Sequence, residues 1–139
     1  MAIIYNAVEV KIPKFKHKEM NLWIQEVAKS YQKKIGEISY IFCSDKEILR
    51  MNKVYLAHDY YTDIITFDYS KEDIISADMF ISLETVCSNA KKYCTEEDEE
   101  LRRVMIHGIL HLCGFKDKKP EDAVIMRANE NAALKLSIK

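Results

Sequence analysis

Residues 104–113 read V-M-I-H-G-I-L-H-L-C, and this run constrains the fold more than any other part of the 139-residue chain. As a helix it is apolar on nearly every side apart from two histidines, so it has to be buried within a domain with other elements wrapped around it. His107 and His111 are four residues apart. That spacing rotates two helical side chains by about 40° and separates them by about 6 Å along the axis, so two imidazoles on one face can share a cation. Helical zinc sites use this arrangement, with a third ligand arriving from elsewhere and a fourth position left open. Two buried histidines hydrogen-bonded to backbone would read the same way. Gly114 is a good C-terminal stop. A chain reversing there can bring Asp117 back beside the imidazoles, which makes His107, His111 and Asp117 an open three-ligand site. The alternative is a loop aspartate paired with Lys116, Lys118 or Lys119. A metal-bound histidine also needs an acceptor for its other ring nitrogen, and no residue stands out in the sequence for that role.

The elements around this helix alternate in type. Residues 3–10 are apolar and β-branched and read as a strand ended by Pro13, while residues 17–35 carry Met20, Trp23, Ile24, Val27, Ala28 and Tyr31 at helical spacing, closed by Gly36. Residues 37–43 alternate as a second strand, Ser44 and Asp45 can cap a short helix over 45–56, and residues 62–68 and 77–82 read as two further strands around a short polar hairpin segment. A helix over 83–94 follows. Thr95 reads as the N-cap of the next helix, with the acidic run Glu96 to Glu100 where a helix N-terminus favours negative charge. After a loop over 115–120, a last helix from Glu121 to about Lys135 has Val124, Ile125, Ala128, Ala132 and Leu136 as its apolar residues. The expectation is one α+β domain over residues 1–139, with a small mixed four-stranded sheet packed with about five helices.

Composition removes several classes. Apolar residues are 48% and charged residues 31%, with three Gly and two Pro, so the chain is neither disordered nor collagenous. No apolar stretch approaches the roughly 18 residues that span a bilayer, and the first residues lack a signal-peptide pattern, so a soluble, cytoplasmic protein is expected. The four cysteines form no CxxC pair and read as reduced, mostly buried thiols, with Cys113 on the side of its helix away from the histidines. Net charge is 21 − 22 = −1, against the general basicity of a protein that coats nucleic acid. Residues 1–35 and 101–139 are each basic, however, and residues 36–100 acidic. Basic ends that meet in the fold would make a local face for phosphates; ordinary solvated helix faces are the alternative.

The run H-G-I-L-H-L-C-G-F-K-D, residues 107–117, resembles the HGxLHLxGYDH signature of the YbeY family, metal-dependent endoribonucleases of bacterial rRNA maturation. His107, Gly108, Leu110, His111, Leu112 and Gly114 match it directly, Phe115 stands for Tyr, and Asp117 takes the position of the third histidine ligand. Asp117 is still a competent ligand, with an added negative charge and a harder oxygen donor. Upstream, residues 49–67 are similar to the family's LNxxYRxKDxPTDVLSF segment, with Asn52, Tyr55, Asp59, Thr62, Asp63 and Phe67 in register. Residues 77–82 resemble its GDIxIS strand, and Met126 and Glu130 match a Met and Glu on its final helix. The matches run from about residue 49 onward, and the N-terminal third agrees only in its strand-then-helix pattern. Leu56 stands where the family usually has Arg, so the phosphate-facing cation has to come from Lys53, His58, Arg50 or a lysine such as Lys116 or Lys118.

The resemblance implies a zincin-like metal-hydrolase architecture holding one zinc ion per chain at His107, His111 and Asp117. It implies cleavage of single-stranded RNA in rRNA maturation, including the 16S 3′ end, and in ribosome quality control, with small ribosomal subunit components as partners and neither DNA nor membrane. A metal with an open position lowers the pKa of bound water and polarises a phosphoryl oxygen, which suits RNA cleavage with either water or a neighbouring 2′-OH as nucleophile. His107 and His111 are then the catalytic pair. Two other readings compete. A zincin-like peptidase would need a general base where this chain has Gly108, with Glu121 or Glu130 as replacements only through tertiary placement. A ribosome-assembly factor would bind rRNA and use the metal only to fix the loop after Gly114.

Overall fold

A computed structural model describes residues 2–55 and 62–136. The order is β1 (Ala2–Ala7), α1 (His17–Ser30), β2 (Lys34–Cys43), α2 (Asp45–Tyr55), β3 (Ile64–Asp68), β4 (Ile74–Ser82), α3 (Leu83–Lys92), α4 (Glu97–Leu112) and α5 (Pro120–Lys135). The strands form one mixed sheet in the order β1-β2-β4-β3, with β1, β2 and β4 parallel and β3 antiparallel to β4. This is the small α+β domain that the alternation of patterns leads one to expect.

Strand alternation turns Ile38, Tyr40 and Phe42 of β2 and Ala77, Met79 and Ile81 of β4 to one face, where none is more than 1% exposed. Helices α1 and α4 cover that face, α1 through Met20, Trp23, Ile24, Val27 and Ala28, and α4 through Met105, Ile106, Ile109 and Leu110. The opposite face carries a smaller cluster of Cys43, Ile48, Met51 and Ile65, with Phe67 edge-on to Phe80, under α2. Two long-range bonds fix the helices: the Tyr40 hydroxyl donates to the Met105 carbonyl (2.9 Å) and the Trp23 indole to the Ala133 carbonyl (2.9 Å). Helix α4 passes so close over β3 and β4 that a Cβ at Gly108 would lie 2.3 Å from Met79 Sδ and 3.0 Å from Ile64 Cδ1. Any larger residue there would force the Met79 and Ile64 side chains to move.

Several local expectations shift. The first strand stops at Ala7, and Glu9 takes φ 60 just beyond it. Helix α1 ends at Ser30, because the chain turns at Gln32 (φ 60) with Lys33 N–H bonded to the Ala28 carbonyl. Gly36 is therefore not a helix stop; it lies inside β2, where a Cβ would meet Ser76 Oγ at 2.4 Å. Thr95 is not the N-cap of α4. Its N–H closes the end of α3 on the Ala90 carbonyl, its Oγ1 is buried without a partner, and Glu96 is the N-cap, with no side-chain bond. Ser44 does cap α2, accepting from the Glu47 N–H at 3.3 Å. On α5 the buried residues are Met126, Glu130 and Ala133, whereas Val124, Ile125, Ala128, Ala132 and Leu136 are exposed. Of the cysteines, all free, Cys43 is buried, Cys87 and Cys113 are half-buried and Cys94 is exposed. Among the described residues no helix is long and apolar enough to cross a membrane.

Candidate metal centre

The last turn of α4 and the loop beyond it build the site from local geometry. Gly114 takes φ +106, its N–H bonds to the His111 carbonyl (3.0 Å), and the Phe115 N–H reaches back to the Leu110 carbonyl (3.1 Å). This is the Schellman closure that glycine makes inexpensive. The reversal returns Asp117 to the histidines: Asp117 Oδ2 is 3.2 Å from His107 Nε2 and 3.4 Å from His111 Nε2, and the two Nε2 atoms are 3.0 Å apart. A tetrahedral ion with ligand bonds of about 2.0–2.1 Å holds its ligand atoms about 3.3 Å from one another. The three atoms therefore already stand at the separations that such an ion requires, and they are the group among the described residues able to hold one.

The ring nitrogens facing away from this point are both engaged. His111 Nδ1 donates to the Phe115 carbonyl at 2.9 Å, since a carbonyl can only accept, and His107 Nδ1 meets Glu130 Oε2 at 2.6 Å. With the proton on Nδ1, each Nε2 presents a lone pair to the common point. Glu130, 5% exposed, is the acceptor that sequence reasoning missed, although it had been matched with Met126 along the last helix. It is held in turn by Arg103 Nη1 (3.2 Å) and Arg127 Nη1 (3.5 Å). Burial works against charge on His107, yet the hydrogen bond and charge of Glu130, with Asp63 and Asp117, hold its pKa above the ordinary value. Burial likewise opposes charge on Glu130, and His107 with the two arginines overrides it, so the carboxylate is held below its ordinary range. Behind His107 lies a polar cavity of about 160 Å³ where Asp63 and Glu100 join this network. Burial raises the pKa of both.

In front of these three residues opens a cleft of about 440 Å³ lined by Asn52, Thr62, Asp63, the β3 residues Ile64, Ile65, Thr66 and Asp68, and His107, His111, Leu112, Asp117 and Lys118. The Ser82 N–H bonds to the Asp63 carbonyl and the Tyr69 N–H to the Ser76 carbonyl, so odd-numbered residues of β3 turn their backbone groups to β4. Ile64, Thr66 and Asp68 turn theirs to the outer edge of the sheet, where no described strand pairs with them. Thr62 and Asp63 are thus groove residues, whereas Phe67 packs on the far face of the sheet. Of the residues expected to meet substrate, Lys118 lines the cleft and Lys116 lines an adjoining cavity instead, while Lys53 is on the exposed side of α2. His58, with Leu56, Asp59 and the side chain of Tyr55, lies outside the described residues.

A mixed four-stranded sheet, a buried helix carrying two histidines, and a returning aspartate at an open cleft define a class: small α+β proteins built around a helix-borne group that can hold a metal. A family model described as "Endoribonuclease YbeY" matches residues 4–137, and the chain belongs to that family. The match includes the N-terminal third that shows only a pattern in sequence. Proteins named endoribonuclease YbeY are similar throughout: that of Phocaeicola vulgatus is 59% identical over 96% of this chain and 97% of its own, and that of Parabacteroides distasonis 57% identical over 96% and 94%. The solution structure of TM1509 from Thermotoga maritima superposes with a TM-score of 0.63 at 26% identity, covering 96% of this chain and 90% of the other.

Proposed function

We propose that this protein is a metal-dependent, single-strand-specific endoribonuclease that acts on ribosomal RNA, including the 3′ end of 16S rRNA, in maturation and ribosome quality control. The reading places it in the cytoplasm beside components of the small ribosomal subunit. The observation that carries it is the convergence of His107 Nε2, His111 Nε2 and Asp117 Oδ2 within 3.4 Å of one another at the end of an open cleft, in a chain of the YbeY family.

One zinc ion held by these three atoms would supply Lewis acidity toward a phosphoryl oxygen and a lowered pKa for water. The chain's own residues do the rest. Glu130 and the Phe115 carbonyl keep the Nδ1 protons in place, so both imidazoles act as neutral ligands. Lys118, at the metal end of the cleft, is the cation that meets the reacting phosphate where the family Arg is replaced by Leu56. The outer edge of β3 and the Asn52, Thr62 and Thr66 side chains offer hydrogen bonds to a strand with unpaired bases, the form in which RNA exposes its base edges. The bases a peptidase reading would call on do not serve: Gly108 has no side chain and is packed against Met79, Glu121 is an exposed residue of the first turn of α5, and Glu130 is committed to His107 and Arg103 behind the site.

The test is cleavage of an end-labelled single-stranded rRNA fragment by wild type and His111→Ala, with chelator and zinc add-back. The expected result is cuts that need the metal and vanish in the variant. Mass spectrometry of the ends then separates the nucleophiles, because a cyclic phosphate identifies the 2′-OH. RNA that is bound but cut by neither protein would replace the enzyme reading with that of an assembly factor holding a structural metal.

A further inference from the structure

A further cavity, about 480 Å³, adjoins the group of His107, His111 and Asp117 and is lined by His111, Lys116, Asp117, Lys118, Lys119 and Asp122. It shares His111, Asp117 and Lys118 with the cleft, so the two cavities meet at the metal-binding group. Their chemistry differs. Among the described residues that line the cleft, Lys118 is the one lysine or arginine, and the remaining surface combines amide, hydroxyl, carboxylate and imidazole groups with the apolar side chains of Ile64, Ile65 and Leu112. The adjoining cavity has three lysines within four positions. The ion pairs among the described residues involve none of the three, and Asp117 turns to the histidines instead. Asp117 belongs to the ligand group, which leaves Asp122 as the opposing charge there. A concave site with several cations favours a polyanion, and phosphates dominate the affinity of nucleic acid for protein.

We propose that this lysine-lined cavity is a phosphate subsite for the phosphodiester next to the one presented to His107, His111 and Asp117. The substrate strand crosses the ligand group from a side that holds sugars and bases, along β3, to a side that holds phosphate. The proposal rests on the RNA reading above. It predicts asymmetry: one neighbouring phosphate contributes strongly to binding and the other does not.

The test uses the full-length, metal-loaded protein and an oligoribonucleotide with a single cut site. Two further versions carry a neutral methylphosphonate immediately 5′ or immediately 3′ of the cut. In wild type one of them should raise KM roughly five- to tenfold with kcat little changed, and the other should act like the unmodified strand. Lys116→Ala/Lys119→Ala should raise KM by the same factor on the unmodified strand and should not respond to the sensitive methylphosphonate. The slope of log affinity against log salt should fall by about 0.7, one single-strand phosphate. Lys116→Arg/Lys119→Arg should restore both the affinity and the sensitivity, which a merely structural role would not do. A wild type indifferent to both methylphosphonates, or an alanine variant that stays sensitive, overturns the subsite. If wild type binds the strand without cutting it, the nuclease reading fails, and the same comparisons in Kd decide the subsite on their own. If it neither binds nor cuts, both fall.

Discussion

The two histidines of the ligand group are supported by different kinds of structure. His111 leans on its own neighbourhood: its Nδ1 donates to Phe115, four residues on, whose carbonyl is aimed by the closure at Gly114, and the same turn returns Asp117. His107 leans on a distant element, because its Nδ1 partner Glu130 comes from α5 and is steadied by Arg103 and Arg127. One support is backbone, neutral and local; the other is ionic, buried and long-range. The first is specified by a single conformational preference. The second depends on α5 docking with a charged residue turned inward.

The difference is broken most severely from the ionic side. Glu130→Ala leaves His107 Nδ1 without its partner and the Arg103 guanidinium, half-buried, without its carboxylate. The expected cost is about 3 kcal/mol of stability, the scale for removing one partner of a buried pair. Metal affinity should fall roughly ten- to a hundredfold, as when an outer partner of a ligand is lost. Urea unfolding and a zinc competition titration measure the two effects, and a stability change under 1 kcal/mol would show that α5 does not carry this support. Gly114→Ala attacks the local side. A Cβ there meets nothing within 4 Å, so the expected cost of about 1–2 kcal/mol comes from φ +106 alone. It should weaken metal binding through His111 and Asp117 while the His107 Nδ1–H signal in proton NMR stays hydrogen-bonded.

The two supports also separate by pH. In the metal-free protein His107 titrates above the ordinary 6.5 and Glu130 below the ordinary 4.5. The raised histidine contributes stability fully present below 6.5 and lost as pH rises through its folded pKa. The lowered carboxylate contributes stability present above 4.5 and lost as pH falls through its own. The ionic support is therefore strongest between about pH 4.5 and 6.5 and weakens on either side. The urea midpoint of metal-free wild type should show this bell, and Glu130→Gln should flatten it. Metal loading needs a neutral ring at His107, so binding should release a proton in that same window.

The turn that returns Asp117 is legible in the sequence, whereas neither ring-nitrogen acceptor, the Phe115 carbonyl nor Glu130, is. Helical spacing of His107 and His111, a glycine two residues past the helix end and an acidic residue three further on are short-range rules, and together they lead to the three residues that could hold a metal. Glu130 obeys no short-range rule. A charged residue on a helix is ordinarily placed outward, and the apolar residues of α5 were expected to define its inner face. The packed face is instead the one that carries Glu130 to His107, which leaves Val124 70% exposed. Thr95 misleads by a related conflict, since two helix ends meet there and the residue serves the first. The sheet is legible because Ile38, Tyr40 and Phe42 alternate plainly, but a glycine inside β2 is explained by the closeness of Ile74, Ile75 and Ser76 on β4.

The smallest effect sharpens the account of the ionic side. Glu130 has two arginines, and they are not equivalent: Arg103 is 3.2 Å away with its side chain 15% exposed, while Arg127 is 3.5 Å away and 54% exposed. An ion pair open to water on one side is screened and contributes a few tenths of a kcal/mol, about 0.3–0.5 for pairs on one helix. Arg127→Ala should therefore lower stability by no more than about 0.5 kcal/mol, and the loss should fade at high salt. Arg103, which also bonds Asn131 Oδ1 at 2.9 Å, should give the larger loss when changed to Ala, and the loss should persist at high salt. Unfolding of both variants at low and high ionic strength reads the contrast directly. If Arg127→Ala proves the more costly, the carboxylate is steadied from the solvent side, and the rigidity of His107 comes from the surface of α5 instead of its buried face.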